Sequence, residues 1–537
     1  MDDGLRPQDQ AEQFSAVATV PAGTATSHRQ AGTGRLRLPT WLPLVAVIVV
    51  QALLSVRLVR ADTAFEDEAA YIWAGHLEWA HWIHSTPIPP FPSYFSGAPV
   101  IYPPLAALAD HIGGLTAVRL LSLVFMLAST CLLWDVARRL FSLQAAFFAA
   151  ALFAILGPTL HLGAFATYDA MSVFLVALAS WLVVRAGDRL TATRWMVGAG
   201  VVLAIANMTA YSTAIFDVAV ILLAVLIGLP LHGGKIAATR GLTVLAVVVV
   251  LLLAGLLIGG SSYAHGVTST TLGRVPGGAS ALTVLSDAWL WTGVVVAAGL
   301  CGIVISVVRG EGRARPWLLG VLTAAALLGP FEQARLHTAA SLNKHVGLGA
   351  WFAAIAAGYA VDRLITAAPA GSTRVVTCGA CVVAMALPVS LGVSQSRQFS
   401  TSWPDSTAFV AILQPLVGSS GGHLLVEDPS VPEYYLHQES HWMRWSSTRN
   451  IVLPSGASSG GPSNSAGVVG AGNAGTYAAK IAGGYFSLVA LNFADTTRLD
   501  HLIAADLRKN HHYKIIEVIP YGPAPGTYVI WRYEPTA

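Results

Sequence analysis

The chain has 537 residues, of which 54% are hydrophobic and 11% charged, and its formal net charge is +3. Soluble globular domains carry about 25% charged residues, so this composition excludes a soluble protein and predicts an integral membrane protein. The small net charge gives no indication of a nucleic-acid partner, and we expect none.

The chain begins with a polar segment and continues with a series of apolar segments. Residues 1–38 are polar and predict a disordered cytoplasmic tail. Eleven apolar segments follow, each close to the length of about 20 residues that a helix needs to cross a bilayer. They lie at 41–56, 115–134, 143–160, 169–185, 195–210, 212–230, 241–260, 289–308, 317–331, 345–361 and 375–392. We therefore predict a transmembrane domain over residues 39–393.

The distribution of basic residues predicts the orientation of these spans. Arginine and lysine recur in every second loop, which the positive-inside rule places in the cytoplasm. These loops contain residues 138–139, 185–194, 235–240, 309–315 and 363–374. The N-terminus is then cytoplasmic, and the long first loop, residues 60–113, is on the outer face. The Ala, Gly, Val and Arg usage suggests a bacterium, so we expect a multi-pass protein of the bacterial plasma membrane.

The C-terminal region differs in composition from the spans. Residues 394–537 contain alternating segments at 423–427, 485–493, 513–520 and 527–533, which predict strands, and an amphipathic segment from 495 to about 509, which predicts a helix. A Gly/Ser-rich loop at 454–475 is predicted to be mobile. We predict a small extracytoplasmic α/β domain. Its acidic Glu427 and Asp428, after the first strand, either contact an acceptor or are simply solvated.

Three consecutive carboxylates, Glu66, Asp67 and Glu68, open the first outer loop. Burying unpaired charges costs several kcal/mol, so the motif is either a solvated acidic loop or an acid/base site at the membrane surface. The aromatic and imidazole side chains that follow favour a sugar-handling surface. They are Trp73, Trp79, Trp82, His76, His81 and His84. The tryptophans fit either an amphipathic helix in the headgroups or stacking on a sugar.

Four short motifs carry a family resemblance. Asp67-Glu68-x-x-Tyr71 resembles the signature of the family 39 membrane glycosyltransferases, which include protein O-mannosyltransferases and the aminoarabinose transferases of lipid A. The other matching stretches are Tyr102-Pro103-Pro104-Leu105, Ala117-Val118-Arg119-Leu120-Leu121-Ser122 and Tyr168-Asp169-Ala170-Met171. The resemblance in topology and spacing covers about residues 40–400.

The resemblance implies a polytopic α-helical GT-C-like fold and a sugar donor linked to polyprenyl phosphate. It further implies transfer to an acceptor hydroxyl with inversion, and a general base at Asp67. Glu68 and Asp169 are the other candidate catalytic carboxylates, although Asp169 also suits a helix N-terminus. The residues considered for substrate contacts are Glu66, Tyr71, Tyr102 and Tyr168. The acceptor remains open among protein, lipid and polysaccharide.

The donor phosphate requires cations on the outer side. Family members often carry lysine where this chain has Tyr102, and again where it has Ala210-Tyr211, so the cations must come from elsewhere. The candidates are Arg119, Arg335, Lys344 and His345. The last three interrupt an otherwise cytoplasmic pattern of basic residues and suit a phosphate leaving group. The alternative is an interfacial anchor whose charged ends reach the headgroups.

Other readings concern a metal ion and a different protein class. His81, His84 and the nearby Glu78 could hold a divalent ion. The resemblance to family 39, whose members generally need none, implies no metal, and we expect no other cofactor. A transporter or lipid flippase is the main rival. Asp217 is the one plausible intramembrane carboxylate, whereas a transporter site would lie near the midplane. A non-catalytic envelope scaffold would leave the acidic motif unexplained.

Overall fold

A computed structural model describes residues 39–189, 192–274, 276–448, 474–494, 496–522 and 525–535. The predicted tail at 1–38, and almost all of the Gly/Ser-rich loop at 454–475, lie outside these residues. Trp41–Ala537 forms one compact unit. The predicted limits of the two domains, 39–393 and 394–537, stay a prediction.

Helices dominate the first part of the described chain. They are α1 Leu42–Val56, α2 Glu66–His84, α3 Tyr102–Leu140, α4 Leu143–Ile155, α5 Gly157–Leu162, α6 Tyr168–Arg185, α7 Thr193–Thr209, α8 Asp217–Val267, α9 Ala281–Val308, α10 Ala314–Arg335, α11 Leu342–Ala367, α12 Ser372–Ala384 and α13 Ala386–Phe399. In the described residues, seven helical segments are long and apolar enough to cross a membrane. Each of the eleven predicted spans coincides with helical structure.

Glycines divide the two longest helices. Gly113 and Gly114 have non-helical backbone angles, so the first part of α3 is separated from the apolar part that begins near residue 115. Gly233 interrupts α8 at φ +77°, a conformation that favours glycine because it has no Cβ. This break separates the predicted spans 212–230 and 241–260. A 3-10 helix, Tyr211–Phe216, lies between α7 and α8, where the sequence predicts the boundary between two spans.

Helix α11 is the most buried of the seven apolar helical segments. Of the 18-residue apolar stretch by which it qualifies as a membrane span, 83% is buried. Trp351 and Tyr359 are among its fully buried side chains. Gly358 allows the closest approach, since a Cβ there would lie 2.3 Å from the carbonyl oxygen of Ala145 on α4. This packing holds α11, the helix whose first turn carries Lys344, against α4.

The C-terminal region has an α/β fold. Its helices are α14 Thr407–Ser419, α15 Ser430–Tyr435, α16 Ala474–Ala482 and α17 Thr497–Lys509, and its strands are β1 His423–Val426, β2 Trp445–Ser447, β3 Phe486–Leu491, β4 Tyr513–Pro520 and β5 Thr527–Tyr533. The sheet order is β2-β1-β3-β5-β4. β1 is parallel to β2 and β3, whereas β5 is antiparallel to β3 and β4. All strands except β2 were expected from the sequence.

Alternating side chains cover both faces of this sheet, as the period of two in a strand requires. Leu424 and Val426 pack with Phe409 of α14 on one face. Leu425 packs with Ile481 of α16 and Leu507 of α17 on the other. The sheet therefore lies between two helical layers.

Candidate active site

Two carboxylates and one ammonium group meet where three helices begin. Asp67 is the second residue of α2, Asp169 the second residue of α6 and Lys344 the third residue of α11. Lys344 Nζ lies 2.7 Å from Asp67 Oδ2 and 3.9 Å from Asp169 Oδ2. A cation is unfavourable at a helix N-terminus and carboxylates are favourable there, so the two carboxylates offset the placement of Lys344. This cluster carries one positive and two negative charges.

The members of the cluster differ in accessibility. The side chain of Asp67 is 30% exposed, whereas those of Lys344 and Asp169 are 8% and 4% exposed. The hydroxyl of Thr167 donates a hydrogen bond to Asp169 Oδ2 at 2.7 Å. Asp169 is thus held in place from two sides, and Asp67 is the carboxylate that a ligand from outside reaches.

Glu68 and Arg119 form a separate, fully buried ion pair. The guanidinium donates to both carboxylate oxygens, with Nε to Oε1 at 2.8 Å and Nη2 to Oε2 at 2.6 Å. Its remaining donors bind the carbonyl oxygens of Val59, Asp62 and Thr63. A buried ion pair is tolerated only when its other hydrogen-bonding groups are also satisfied, and this condition is met for Arg119.

The Glu68 carboxylate also accepts hydrogen bonds from two backbone groups of the site. It accepts from the backbone N–H of Phe65 at 3.0 Å, which caps the start of α2. It accepts from the backbone N–H of Ala166 at 2.7 Å, three residues before Asp169. Glu68 therefore fixes the start of α2, which carries Asp67, relative to the segment that leads into α6.

Aromatic rings form one wall beside the cluster. The rings of Tyr71 and Tyr168 are 4.7 Å apart. Phe95 packs edge-on against Tyr71 at 5.2 Å. Burial raises the pKa of Tyr71 well above its usual value, so its phenol stays neutral. Tyr102 is fully buried at the start of α3.

The other residues predicted to bind the phosphate have partners outside this cluster. Arg335 is largely exposed and forms an ion pair with Glu332 at 2.6 Å. His345 is hydrogen-bonded to the side chain of Gln333 at 2.6 Å. Among the described residues, neither is ion-paired with Asp67 or Asp169. The phosphate roles of Arg119, Arg335 and His345 stay predictions, as does the substrate role of Glu66, the first residue of α2.

The histidines of the first loop have separate partners. His76 Nε2 lies 2.7 Å from Asp110 Oδ2, and His81 Nδ1 lies 2.8 Å from the carbonyl oxygen of Thr86. Across the described part of the chain, no three His, Cys, Asp or Glu side chains are grouped in a way that could hold a metal ion. The expectation about metals stays untested.

The tryptophans of α2 divide between two surroundings. Trp79 and Trp82 are 39% and 46% exposed, and the Trp79 indole N–H donates to the carbonyl oxygen of Pro104. Trp73 instead packs against the imidazole of His437, with 5.2 Å between ring centroids. One face of α2 thus suits an interface with headgroups, while the other contacts the C-terminal region.

Asp217, which the transporter reading invokes, belongs to a local hydrogen-bond network. The side-chain amide of Asn207 donates to Asp217 Oδ2 at 2.8 Å, and its oxygen accepts from the hydroxyl of Thr213. All three residues surround the break between α7 and α8. The network satisfies Oδ2 of Asp217, whereas Oδ1 is buried and has no hydrogen-bond partner among the described residues.

The sequence did not indicate Thr167 or Phe165, which complete the surroundings of the charged cluster. Thr167 binds Asp169, and the Phe165 ring lies 5.7 Å from Lys344 Nζ. A threonine just before a helix start is a recognisable capping signal, so Thr167 could have been found. A single aromatic residue in a loop offers no such signal.

Known proteins share parts of this sequence and its fold. Residues 99–258 match the family model described as dolichyl-phosphate-mannose-protein mannosyltransferase. No curated protein sequence matches the chain. The structure resembles that of ArnT from Cupriavidus metallidurans bound to undecaprenyl phosphate, with a TM-score of 0.58 and 14% identity over 91% of this chain and 97% of that one.

A second solved structure has the same architecture. The archaeal oligosaccharyltransferase AglB from Archaeoglobus fulgidus, in complex with an inhibitory peptide and a dolichol-phosphate, matches with a TM-score of 0.53 and 15% identity over 90% of this chain and 74% of that one. These similarities confirm the predicted GT-C fold with its C-terminal α/β region, and they confirm the resemblance to GT-C membrane glycosyltransferases.

Proposed function

Because the chain has the fold of the GT-C membrane glycosyltransferases, we propose that it transfers a sugar from a polyprenyl-phosphate donor to an acceptor hydroxyl, with inversion. The reaction takes place at the outer face of a bacterial plasma membrane, with the N-terminus in the cytoplasm. The observation that carries the proposal is the position of Lys344 between Asp67 and Asp169. The transmembrane helices hold the polyprenyl chain of the donor.

Asp67 is the general base of this reaction. A hydroxyl is a weak nucleophile unless a positioned group accepts its proton as it attacks. The acceptor oxygen forms a bond to the anomeric carbon while the bond from that carbon to the phosphate oxygen breaks. The hydroxyl proton passes to the Asp67 carboxylate, and polyprenyl phosphate leaves with the electron pair. Inversion follows because the acceptor attacks from the face opposite the phosphate.

Lys344 is the cation for the leaving phosphate. Its ammonium is fixed between two carboxylates, and of the four predicted phosphate-binding residues it alone contacts Asp67. A preorganised cation directed at developing negative charge is typically a large contribution to catalysis. When the donor phosphate is bound, Lys344 has a third anionic partner and its contact with Asp67 weakens. The Asp67 carboxylate is then available to the acceptor. These steps need no metal ion.

Asp169 and Glu68 position other residues of the site rather than act on the substrate. Asp169 keeps the buried ammonium group of Lys344 compensated when Asp67 takes up a proton. Glu68, paired with Arg119, holds the first turn of α2 in place. The Tyr71 and Tyr168 phenols offer hydrogen bonds to the sugar next to the charged cluster.

The decisive experiment is transfer from labelled polyprenyl-phosphate sugars in membranes that contain the wild-type chain or the Asp67→Asn variant. We expect the variant to lose transfer by about 10²-fold or more, the lower range for loss of a general base. Asp287→Asn, on α9, removes a carboxylate outside the cluster and is the matched control. Unchanged transfer by Asp67→Asn would refute the assignment of the base. Absence of transfer from every donor, with movement of the lipid across the bilayer, would favour a flippase.

A further inference from the structure

The segment that leads into the C-terminal region contacts the surroundings of the charged cluster. This segment, residues 400–406, connects α13 to α14 and is called the linker below. Its Trp403 is 7% exposed, and the indole packs against the rings of Phe65 and Phe165, with 5.4 and 5.7 Å between ring centroids. Phe65 and Phe165 are themselves 5.8 Å apart. The three rings therefore form an aromatic triad in which each ring contacts the other two.

The two phenylalanines of the triad lie just before the helices that carry the carboxylates of the cluster. Phe65 directly precedes α2 and is two residues before Asp67, and Phe165 is four residues before Asp169. The Phe165 ring also lies 5.7 Å from Lys344 Nζ. A displacement of either phenylalanine therefore changes the distances between Lys344 and the two carboxylates.

The triad and the Glu68 carboxylate connect the same two segments of the chain. Glu68 accepts hydrogen bonds from the backbone N–H groups of Phe65 and Ala166. Trp403 packs against the side chains of Phe65 and Phe165. One connection would let the start of α2 pivot relative to the segment before α6, whereas two connections fix their relative orientation. Such supporting contacts hold the groups of a site in their productive geometry.

The linker is itself held by hydrogen bonds near both of its ends. The Trp403 indole N–H donates to the carbonyl oxygen of Thr63 at 2.9 Å, and the Ser406 backbone N–H donates to the Thr63 hydroxyl at 2.9 Å. Ser400 Oγ lies 2.9 Å from Nδ1 of His161, on α5. These bonds restrict where the Trp403 ring can lie.

We propose that Trp403 is a positioning residue of the transfer reaction, which holds Asp67 and Asp169 at the separation at which both interact with Lys344. It acts through Phe65 and Phe165 rather than on the substrate. Its effect on turnover rests on the proposed function, whereas its effect on the surroundings of Lys344 does not. The linker thus makes the active site depend on the C-terminal region.

Three variants of the triad and one control test this role. Trp403→Leu removes the indole, and Trp403→Phe keeps a ring at this position. Phe65→Leu removes a second ring of the triad and keeps the backbone N–H that Glu68 binds. Trp442→Leu is the matched control, because the Trp442 indole N–H donates to the carbonyl oxygen of Pro87 in the first outer loop. It removes a different tryptophan contact between the C-terminal region and that loop.

Two measurements are made on each full-length variant in lipid nanodiscs. The first gives the kcat and the donor KM for transfer from labelled polyprenyl-phosphate sugars. The second follows Lys344 without the transfer reaction, as its acetylation by an amine-reactive reagent, compared by mass spectrometry with that of Lys509. The Lys344 side chain is 8% exposed and paired with Asp67, so it should react slowly in the wild type. That of Lys509 is 76% exposed and serves as the reference.

We expect Trp403→Leu to lower kcat by about tenfold or more and to leave the donor KM within about twofold of the wild type, because misplaced catalytic groups slow the chemical step. It should also raise the acetylation of Lys344 several-fold. Phe65→Leu should reproduce both effects, and Trp403→Phe should restore most of the turnover and of the protection of Lys344. Trp442→Leu should match the wild type.

Wild-type turnover and wild-type protection of Lys344 in Trp403→Leu would overturn the proposal. Equal losses in Trp403→Leu and Trp442→Leu would also overturn it, because contact of the C-terminal region with the loop would then be sufficient. A lower melting temperature of Trp403→Leu with unchanged acetylation of Lys344 would show a role in folding alone. Increased acetylation in Trp403→Leu, in a chain whose wild type transfers sugar from no donor, would reject the proposed function and retain the positioning of Lys344.

Discussion

Lys344 and Asp67, 277 positions apart in the sequence, form an ion pair with 2.7 Å between Nζ and Oδ2. The pair joins the first outer loop to the most enclosed apolar helix, α11. The same ammonium lies 3.9 Å from Asp169 Oδ2. Before substrate binds, the ammonium of Lys344 thus neutralises Asp67, the general base. We assign the same ammonium to the leaving phosphate. Donor binding and activation of the acceptor are therefore linked through one side chain.

Lys344→Met should abolish transfer and destabilise the chain. Removing the cation leaves the almost fully buried Asp169 without its charge partner, and breaking a buried ion pair costs about 3–5 kcal/mol. Loss of an electrostatic contact to the leaving group should reduce turnover by about 10²-fold or more. Thermal unfolding in detergent and transfer in membranes measure the two effects.

A double variant separates these effects. Lys344→Met combined with Asp169→Asn removes the uncompensated charge, so it should recover part of the lost melting temperature while transfer remains absent. If the double variant recovered transfer together with stability, Lys344 would act only in folding.

Arg119→Met should act on stability rather than on donor affinity. The Arg119 side chain is 2% exposed and its donors are bound to Glu68 and to three carbonyl oxygens. Breaking the pair leaves the Glu68 carboxylate buried, so we expect a loss of about 3–5 kcal/mol of unfolding free energy. The experiment compares the melting temperature with the KM for the donor. A raised donor KM at an unchanged melting temperature would instead support the phosphate role predicted from the sequence.

The sequence predicts that the site lies on the outer face of the membrane. It does not predict which charged side chains of the site form ion pairs. Lys344 stood out because it breaks the cytoplasmic pattern of basic residues, and Asp67 and Asp169 follow from short motifs next to span ends. Nothing local indicates that Glu68 pairs with Arg119, 51 positions away. Such contacts depend on how helices pack in three dimensions, and one sequence does not report them.

The membrane spans were predictable from the sequence, but not every strand or the pairing of the strands. The spans follow from apolar runs of sufficient length, and Asn207–Ser212 was recognisable as a break because polar residues interrupt two such runs. β2 has only three residues, too few for an alternating pattern, and the sequence missed it. The parallel pairing of β1 with β2 and β3 was therefore not predictable either.

Gly358→Ala should destabilise the contact between α11 and α4. The new Cβ would lie 2.3 Å from the carbonyl oxygen of Ala145 and 2.6 Å from the Cβ of Ala149, so the helices would have to separate. Overpacking of this kind costs about 1–3 kcal/mol. We expect a lower melting temperature of the whole chain in detergent.

Gly379→Ala is the matched control for this substitution. It lies within α12, where an added Cβ meets no heavy atom within 4 Å, and alanine favours a helix over glycine by about 1 kcal/mol. Its melting temperature should equal or exceed that of the wild type. Equal destabilisation by both variants would show that close helix contact at Gly358 is not the cause.

Asp500→Asn should remove a pH dependence from the stability of the C-terminal region. Asp500 is fully buried in α17, and burial together with the nearby Glu427 raises its pKa to about 7. Its carboxylate accepts from the Phe493 N–H and from the Thr496 hydroxyl. Because the folded pKa is raised above that of the unfolded chain, the protonated form stabilises the fold. This contribution is complete below about pH 4 and is lost as the pH rises through about 7.

Asparagine keeps an acceptor at this position and carries no charge at any of these pH values. The melting temperature of Asp500→Asn should therefore match that of the wild type near pH 4 and exceed it at pH 8, by an amount equivalent to about 1 kcal/mol or more. Asp506→Asn, on the same helix and paired with Lys509, is the control and should not flatten the profile. A wild-type profile that is flat from pH 5 to 8 would mean that other groups compensate the charges of Asp500 and Glu427. That result would reject this account of how Asp500 affects the stability of the C-terminal region.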